Sequence, residues 1–331
     1  MTVYDSLFDI VGQTPMLRMS VAAGDCILYF KLEKFNPGES IKDRAAQNMI
    51  LQAERRGDLR KGSIIIESSS GNTGISLAML AAERGYTFIC VVDNHVSPEK
   101  VDILRAYGAV IERVGEDLPP DYHAAAERIA RVKQLLDEIP GAFFIDQGDN
   151  PDNSAAHYYG TAEEILSDVG APDYLIASVG TGGSISGTGK RLKEVKPTCT
   201  TIAVEPAGSV IFGEPYAPFF QSGSGSARMI FKNVDFSIID EHYQVGDQQA
   251  FTTCRYMARH HGLLLGGSGG SVVYKAVDYI ATHNCHGVVV ALIPDGGARY
   301  LSTIFNDHWI SDHNLFDSDT WDYLQKHLVT R

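Results

Sequence analysis

The residue with the clearest chemical potential is a lysine. Lys42 follows the turn-forming run Asn36-Pro37-Gly38-Glu39-Ser40-Ile41 and precedes Asp43-Arg44. Ser40 can cap a helix that starts here, and the run from Ile41 to Ala53 contains neither Pro nor Gly. A lysine at a helix start is by default a solvated surface charge. Three Gly/Ser-rich turns downstream change that expectation. Gly180-Thr181-Gly182-Gly183-Ser184 joins a strand-like run to a helical one. Its glycines let backbone N–H groups approach an anion at a helix N-terminus, so a phosphate is the natural guest. It is neither a GxGxxG dinucleotide fingerprint nor a P-loop with its GKS/GKT lysine. Ser69-Ser70-Gly71-Asn72-Thr73 makes a similar junction, where N–H groups and hydroxyls could hold a carboxylate and the Asn72 amide could donate to an oxygen. Gly266-Gly267-Ser268-Gly269-Gly270 opens a third helix. Read singly, each turn is equally a tight connection or an N-capped helix. Read with the lysine, each suits one part of a phosphorylated aldehyde.

The elements that must position these turns alternate. Strands are expected at Cys26–Glu33, Ser63–Glu67, Thr87–Val92, Ala109–Val114, Phe143–Asp146, Asp173–Val179, Thr201–Glu205 and Gly287–Ile293. Several are nearly continuous apolar runs, as in parallel strands covered on both faces. Helices are expected from Lys42, from the Asn72 turn to Arg84, and over 97–107, 121–138, 154–168, Gly183 to about Val195, 246–261 and 270–282. A short helix within 7–20 gives way to Gly12-Gln13-Thr14-Pro15 and an extended segment. The Gly-, Ser- and Pro-rich stretch 206–235 has no assignable element, and long ordered loops are often functional. This alternation predicts parallel βαβ units, with the turns at strand ends gathered around one cleft. There is no internal repeat.

Composition sets the limits. The chain has 331 residues, enough for about two domains. A net charge of −13 argues against nucleic acid and anionic membrane surfaces as partners. No apolar run is long enough to span a bilayer, and the N-terminus lacks the pattern of a signal peptide. The five cysteines are dispersed without a CxxC, as expected of reduced thiols in the cytoplasm. The eleven histidines show no metal-like spacing, and no metal is expected.

Taken together, these motifs resemble the cysteine synthase and cystathionine β-synthase family of pyridoxal-phosphate enzymes. The resemblance runs over nearly the whole chain: Gly12-Gln13-Thr14-Pro15, Asn36-Pro37-Gly38 with Ser40-Ile41-Lys42-Asp43-Arg44, Ser70-Gly71-Asn72-Thr73-Gly74, Gly180–Ser184, and Pro294-Asp295 with Arg299-Tyr300. It implies an α/β protein of PLP fold type II, tryptophan synthase β-like, with the active site in a cleft between two domains. The smaller would be 36–150 and the larger, phosphate-binding one 1–35 plus 151–331. It also implies a homodimer and small amino-acid substrates. On the resemblance Lys42 forms the Schiff base with pyridoxal 5'-phosphate and moves the α-proton. Asn72 bonds the ring hydroxyl, Gly180, Thr181, Gly182, Gly183 and Ser184 hold the phosphate, and Ser268 faces the pyridine nitrogen. Ser69, Ser70, Gly71 and Thr73 hold the substrate carboxylate, with Gln147 beside them. A hydroxyl opposite the nitrogen leaves the ring neutral and a weaker electron sink, which disfavours transamination.

Within the family, Gly208-Ser209-Val210-Ile211-Phe212-Gly213 and Gly223-Ser224-Gly225-Ser226-Ala227-Arg228 are similar to the branch that makes N-(2-amino-2-carboxyethyl)-L-glutamate from O-phosphoserine and glutamate, on the way to 2,3-diaminopropionate in siderophores. Arg228 is the expected reader of the leaving phosphate, with Arg299 a weaker candidate. Gly148, Gly180 and Glu39 depart from that branch or from the usual turn, and a cysteine synthase using sulfide is the alternative. A cystathionine β-synthase with regulatory and haem segments, a serine or threonine deaminase, and an inactive binding module fit the residues less well. The intact set Lys42, Asn72 and Ser268 argues against the last.

Overall fold

The computed structural model describes residues 3–22, 25–69, 71–94, 96–118, 124–227, 230–283 and 285–329. The strands, in chain order, are β1 (Met16–Val21), β2 (Asp25–Leu32), β3 (Ile64–Ser68), β4 (Thr87–Val92), β5 (Val110–Arg113), β6 (Phe143–Phe144), β7 (Tyr174–Ser178), β8 (Thr200–Pro206), β9 (Glu241–Val245), β10 (His286–Ile293) and β11 (Leu328–Val329). They form two sheets, β11-β1-β2-β10-β7-β8-β9 and β5-β4-β3-β6. The smaller sheet is parallel throughout. The larger is parallel from β2 to β9, and β1 runs antiparallel to both β2 and β11.

The apolar runs of the sequence acquire their reason here. Along β10, Val289, Ala291 and Ile293 enter one core, shared with Val272, Val273 and Ala276 of the helix Gly267–Thr282. Val290 and Leu292 enter the core on the opposite face, with Leu175, Ala177 and Ile185. A strand covered on both sides cannot alternate polar and apolar residues. β3 behaves alike: Ile65 packs with Met49 and Leu77, while Ile66 packs with Val132 and Leu135.

Several expectations shift by a few residues. The helix expected over 154–168 starts at Pro151, capped by the Asn150 side chain, and passes through a π-turn at His157–Thr161 before continuing over Ala162–Val169. The N-terminal helix is a single turn, Leu7–Ile10, capped by Ser6. The helix expected over 121–138 is Ala125–Glu138, and 119–123 fall outside the described residues. β9 was not expected. It is an edge strand whose polar run Glu241-His242-Tyr243-Gln244 carries no apolar signal. Between Pro206 and Phe236 the described residues form no helix or strand. The segment is nonetheless tied down: Val210 N donates to Ser226 O at 2.9 Å, Ala217 N to Gly208 O at 3.1 Å and Gly225 N to Val179 O at 2.7 Å.

One buried ionic cluster joins the start of the chain to its middle. The Arg44 guanidinium donates from Nε to Glu33 Oε2 at 2.6 Å and from Nη2 to Glu33 Oε1 at 2.9 Å. It also reaches Glu164 through Nη1 at 2.6 Å and Nη2 at 2.7 Å. Lys31 Nζ lies 2.8 Å from Glu164 Oε2 and donates to Thr14 O at 2.6 Å. Burial alone would raise the Glu164 carboxyl, but Arg44 and Lys31 outweigh it and hold the group at about 2. A lowered folded-state value contributes stability that is complete above the ordinary value of 4.5 and disappears as pH falls through about 2. Glu164→Gln should therefore cost on the order of 3 kcal/mol near neutral pH. The gap to wild type, read from urea unfolding midpoints at a series of pH values, should close between pH 4.5 and 2. A gap that does not change with pH would contradict this account of the cluster.

Candidate active site

Two of the three sequence-singled turns sit at the carboxyl end of a parallel strand, and the third, Gly266–Gly270, opens the helix Gly267–Thr282 after the helix Asp247–His261. The chain leaves β3 into Ser69–Thr73, leaves β7 into Gly180–Ser184, and leaves β10 into Pro294-Asp295. Lys42, Ser69, Gly71, Asn72, Thr73, Gln147, Gly180, Thr181, Gly182, Ser184 and Ser268 all line one cavity of about 540 Å³. Gly183 is buried at the first position of its helix, directly behind that lining. Ser70 and Arg228 fall outside the described residues.

The lysine is placed by pairing on both sides. Ser40 forms an isolated antiparallel bridge with Asp295, and Ile41 N donates to Pro294 O at 2.8 Å. Lys42 N donates to Ser40 Oγ at 3.3 Å, the contact expected of a capping serine, although the helix Lys42–Arg56 has Ile41 as its boundary residue. Gly38 has no alternative in this turn, because a Cβ there would run into the Asp43 carboxylate, which accepts from Gly38 N. Among the described residues the Lys42 ammonium has no hydrogen-bond or ion-pair partner. Burial pushes its pKa down, and the charge of Asp295 pulls part of the way back.

The turn after β7 is built for an anion. Gly182 has φ of +89°, a conformation that side-chain-bearing residues rarely take, and no side chain caps the helix Gly183–Val195 that follows. The free N–H groups of its first turn therefore face the cavity. A Cβ on Gly183 would run into Asn153 Oδ1. Asn153 cannot easily yield, since its Nδ2 donates to Gln147 O at 2.7 Å and Thr181 Oγ1 at 3.3 Å.

The turn after β3 has its own supports. Ser69 Oγ accepts from Gly71 N at 3.3 Å and from Gly74 N at 3.2 Å. Beneath it lies the buried Glu67, which accepts from Ser68 N at 2.8 Å and from Gln147 N at 3.0 Å. Burial pushes Glu67 up to about 8, against the hydrogen bonds from Gln147 N and Ser68 N that it accepts. Asn72 is tied into a polar knot. Its Nδ2 donates to Asp295 Oδ2 at 2.8 Å, and its Oδ1 accepts from Arg299 Nη1 at 2.8 Å. Tyr300 Oη donates to the same Asp295 oxygen at 2.7 Å, and Arg299 Nη2 donates to Gly38 O at 2.6 Å. Asp295 Oδ1 is buried with no partner among the described residues. Burial raises the Asp295 carboxyl, against the hydrogen bonds from Tyr300 and Asn72.

Sequence reasoning listed Asp295 and Tyr300 as motif residues without seeing this knot. It missed Asn153, and it read Gly223–Gly225 as a branch motif without placing it in the cavity wall, where the structure shows it. Only the clustering of glycine and serine in 206–228 hinted at the latter.

A capless helix terminus walled by glycine, a half-buried lysine without a partner, a buried serine at another helix start and an asparagine with one amide hydrogen to spare fit a phosphorylated pyridine aldehyde. Fold and site together define a pyridoxal-phosphate enzyme of fold type II. The comparisons agree. The family model described as "Pyridoxal-phosphate dependent enzyme" matches residues 7–295, and the chain belongs to that family. A relative from Sinorhizobium fredii, named "Putative cysteine synthase", is 44% identical over 318 residues, covering 95% of this chain and 94% of its own. The crystal structure of an O-ureido-L-serine synthase superposes with a TM-score of 0.86 at 32% identity, over 97% of this chain and 99% of that one. An O-acetylserine-dependent cystathionine β-synthase from Helicobacter pylori superposes with a TM-score of 0.83 at 32% identity, over 92% and 99% respectively. The chain is thus a pyridoxal-phosphate enzyme similar to cysteine synthase-like proteins.

Gly183→Ala offers a direct test of the anion cradle. The added methyl must displace Asn153 or the turn, and the affinity of the apo-protein for pyridoxal phosphate should fall by about tenfold or more. Titration followed by cofactor absorbance measures it, and unchanged affinity would move the phosphate elsewhere.

Proposed function

We propose that this enzyme joins an O-activated L-serine, O-phosphoserine in preference to O-acetylserine, to the α-amine of an amino acid, glutamate first. The product would be N-(2-amino-2-carboxyethyl)-L-glutamate, a precursor of 2,3-diaminopropionate. The supporting observation is room. Beyond Gly71 and Gly223–Gly225 the cavity opens into a second lobe of about 510 Å³, lined by Lys100, Arg128 and Arg299 as well as apolar side chains. Sulfide needs no such space, whereas an amino acid must be held by its carboxylates with its amine aimed at the β-carbon.

Pyridoxal phosphate, when bound, supplies the electron sink that acidifies the substrate's α-C–H. The rest falls to the chain. In this reading Lys42 Nζ would hold the cofactor's aldehyde end, and its free amine would take the substrate's α-proton and later return it to the same carbon. Burial favours the neutral amine this needs. Gly180, Thr181, Gly182, Gly183 and Ser184 would hold the phosphate, Ser268 would serve the ring nitrogen, and the Asn72 Nδ2 hydrogen not given to Asp295 would serve the ring hydroxyl. Ser69, Ser70, Gly71, Thr73 and Gln147 receive the substrate carboxylate. Arg228 remains the reader of the leaving phosphate. Arg299 suits that role less, because both of its terminal nitrogens already serve Asn72 and Gly38.

The name of the Sinorhizobium fredii relative favours a second reading, cysteine synthesis from sulfide. The two separate cleanly. Holoenzyme charged with O-phosphoserine should, on mixing with glutamate or sulfide at matched low concentrations, yield the amine-linked product with glutamate. Turnover with sulfide alone would establish a cysteine synthase. Borohydride reduction of the resting enzyme should fix the cofactor on the peptide containing Lys42, and a modified peptide elsewhere would remove that lysine from the mechanism.

A further inference from the structure

The second lobe contains a feature that the β-replacement chemistry leaves unused. Lys100 is the third residue of the helix Pro98–Ala106, whose first turn is capped by the Ser97 hydroxyl. A lysine in that position is ordinarily solvated, yet Lys100 is only 8% exposed. Among the described residues no carboxylate lies within ion-pairing distance of its ammonium and no acceptor bonds it. Its near neighbour is the Tyr300 ring, 5.5 Å from Nζ to the ring centroid. The other cations of the lobe are engaged: Arg128 Nη1 lies 3.0 Å from Asp93 Oδ2, and Arg299 donates to Asn72 and Gly38. A buried ammonium without a counterion is unfavourable, and an incoming anion relieves that cost. Burial also pushes the Lys100 pKa down, the charge of Asp295 offsets this only in part, and an anionic ligand would reverse it.

The surrounding walls narrow the ligand. The lobe is also lined by Phe220, Phe251, Ile304 and Trp309, so a guest needs an apolar stem as well as an anionic end. The lobe meets the cofactor cavity at Gly71 and Gly223–Gly225, so the guest's other end can reach the reacting carbon. We propose that Lys100 is the specificity residue for the second substrate, receiving the side-chain carboxylate of a dicarboxylic amino acid whose methylene stem lies along the aromatic wall. This rests on the reading that the nucleophile is an amino acid. It adds the residue that selects a dicarboxylic one.

The probe is glutarate, which has the two carboxylates and the stem but no nucleophile, so binding is measured without turnover. Titration calorimetry on the holoenzyme should show saturable glutarate binding. Lys100→Gln should weaken it by about tenfold or more, the usual effect of losing a charge-assisted hydrogen bond, while Lys100→Arg should stay close to wild type. Release of acetate from O-acetylserine with no second substrate present should be the same in all three proteins, which shows that the fold and the cofactor site are intact. Equal glutarate affinity in wild type and Lys100→Gln, or no saturable binding to wild type, overturns the proposal. So does a Lys100→Gln protein that loses phosphate release from O-phosphoserine but keeps acetate release, because Lys100 would then read the leaving group. If glutarate binds through Lys100 but glutamate is not consumed, the assigned nucleophile fails while the carboxylate site stands.

Discussion

The Arg44 guanidinium lies between two carboxylates, Glu33 at the end of β2 and Glu164 in the helix Ala162–Val169, and none of the three can be withdrawn from water without the others. Such clusters are poor sources of net stability, since well-packed apolar groups often do as well. What they supply is position. Arg44 stands two residues after Lys42, on the same first turn of helix. The fork of five N–H donors accepts one geometry for both partners, so the helix cannot rotate or slide without breaking several charged hydrogen bonds. The same cluster fixes the Gly12–Thr14 turn, because Gln13 N donates to Glu164 Oε1 at 2.9 Å and Thr14 Oγ1 to Glu33 Oε1 at 2.7 Å. The reactive lysine is thereby referenced to the larger sheet although its own helix packs with the smaller one.

A second set of contacts holds the same helix start from the other side. Asp295, at the end of β10, accepts from Asn72 and Tyr300, while Arg299 spans from Asn72 to the carbonyl of Gly38. The segment carrying Lys42 is thus caught between the ends of β2 and β10, neighbouring strands with a continuous parallel register. Glu39 shows how tightly: it takes φ of +60°, a left-handed conformation normally left to glycine or asparagine. The hydrogen bond from Glu39 N to Asn36 O, 2.8 Å long, closes that turn.

Much of this was legible in the sequence, for a physical reason. Lys42, Asn72, Thr181, Ser184 and Ser268 each lie at or beside a helix start that follows a strand end or a glycine turn. In a parallel α/β arrangement such positions gather at one edge, so local patterning carries long-range information. The buried strands were legible because both faces are covered. β9 was not, since an edge strand with polar residues leaves no apolar trace. The knot around Asp295 and the burial of Lys100 were not legible either. Nothing near Lys100 in the chain distinguishes it from a surface lysine. It is covered by Tyr300 and its neighbours, and the lobe beside it is closed by the irregular segment around Phe220, contacts that no local pattern encodes.

The strand order has a consequence for how the molecule comes into being. The four strands of the smaller sheet occupy one uninterrupted stretch, Ile64 to Phe144, and can pair as soon as that stretch leaves the ribosome. The larger sheet cannot close early. Its β2 and β7 are separated by β10, which is made more than a hundred residues after either of them, so in the meantime both present an open edge where a neighbour is missing. Asp295, Arg299 and Tyr300 arrive with or just after β10. The polypeptide therefore acquires a complete cofactor site only once β10 and the residues after it have been made, and a chain interrupted before them would carry the lysine without the surroundings that give it a use.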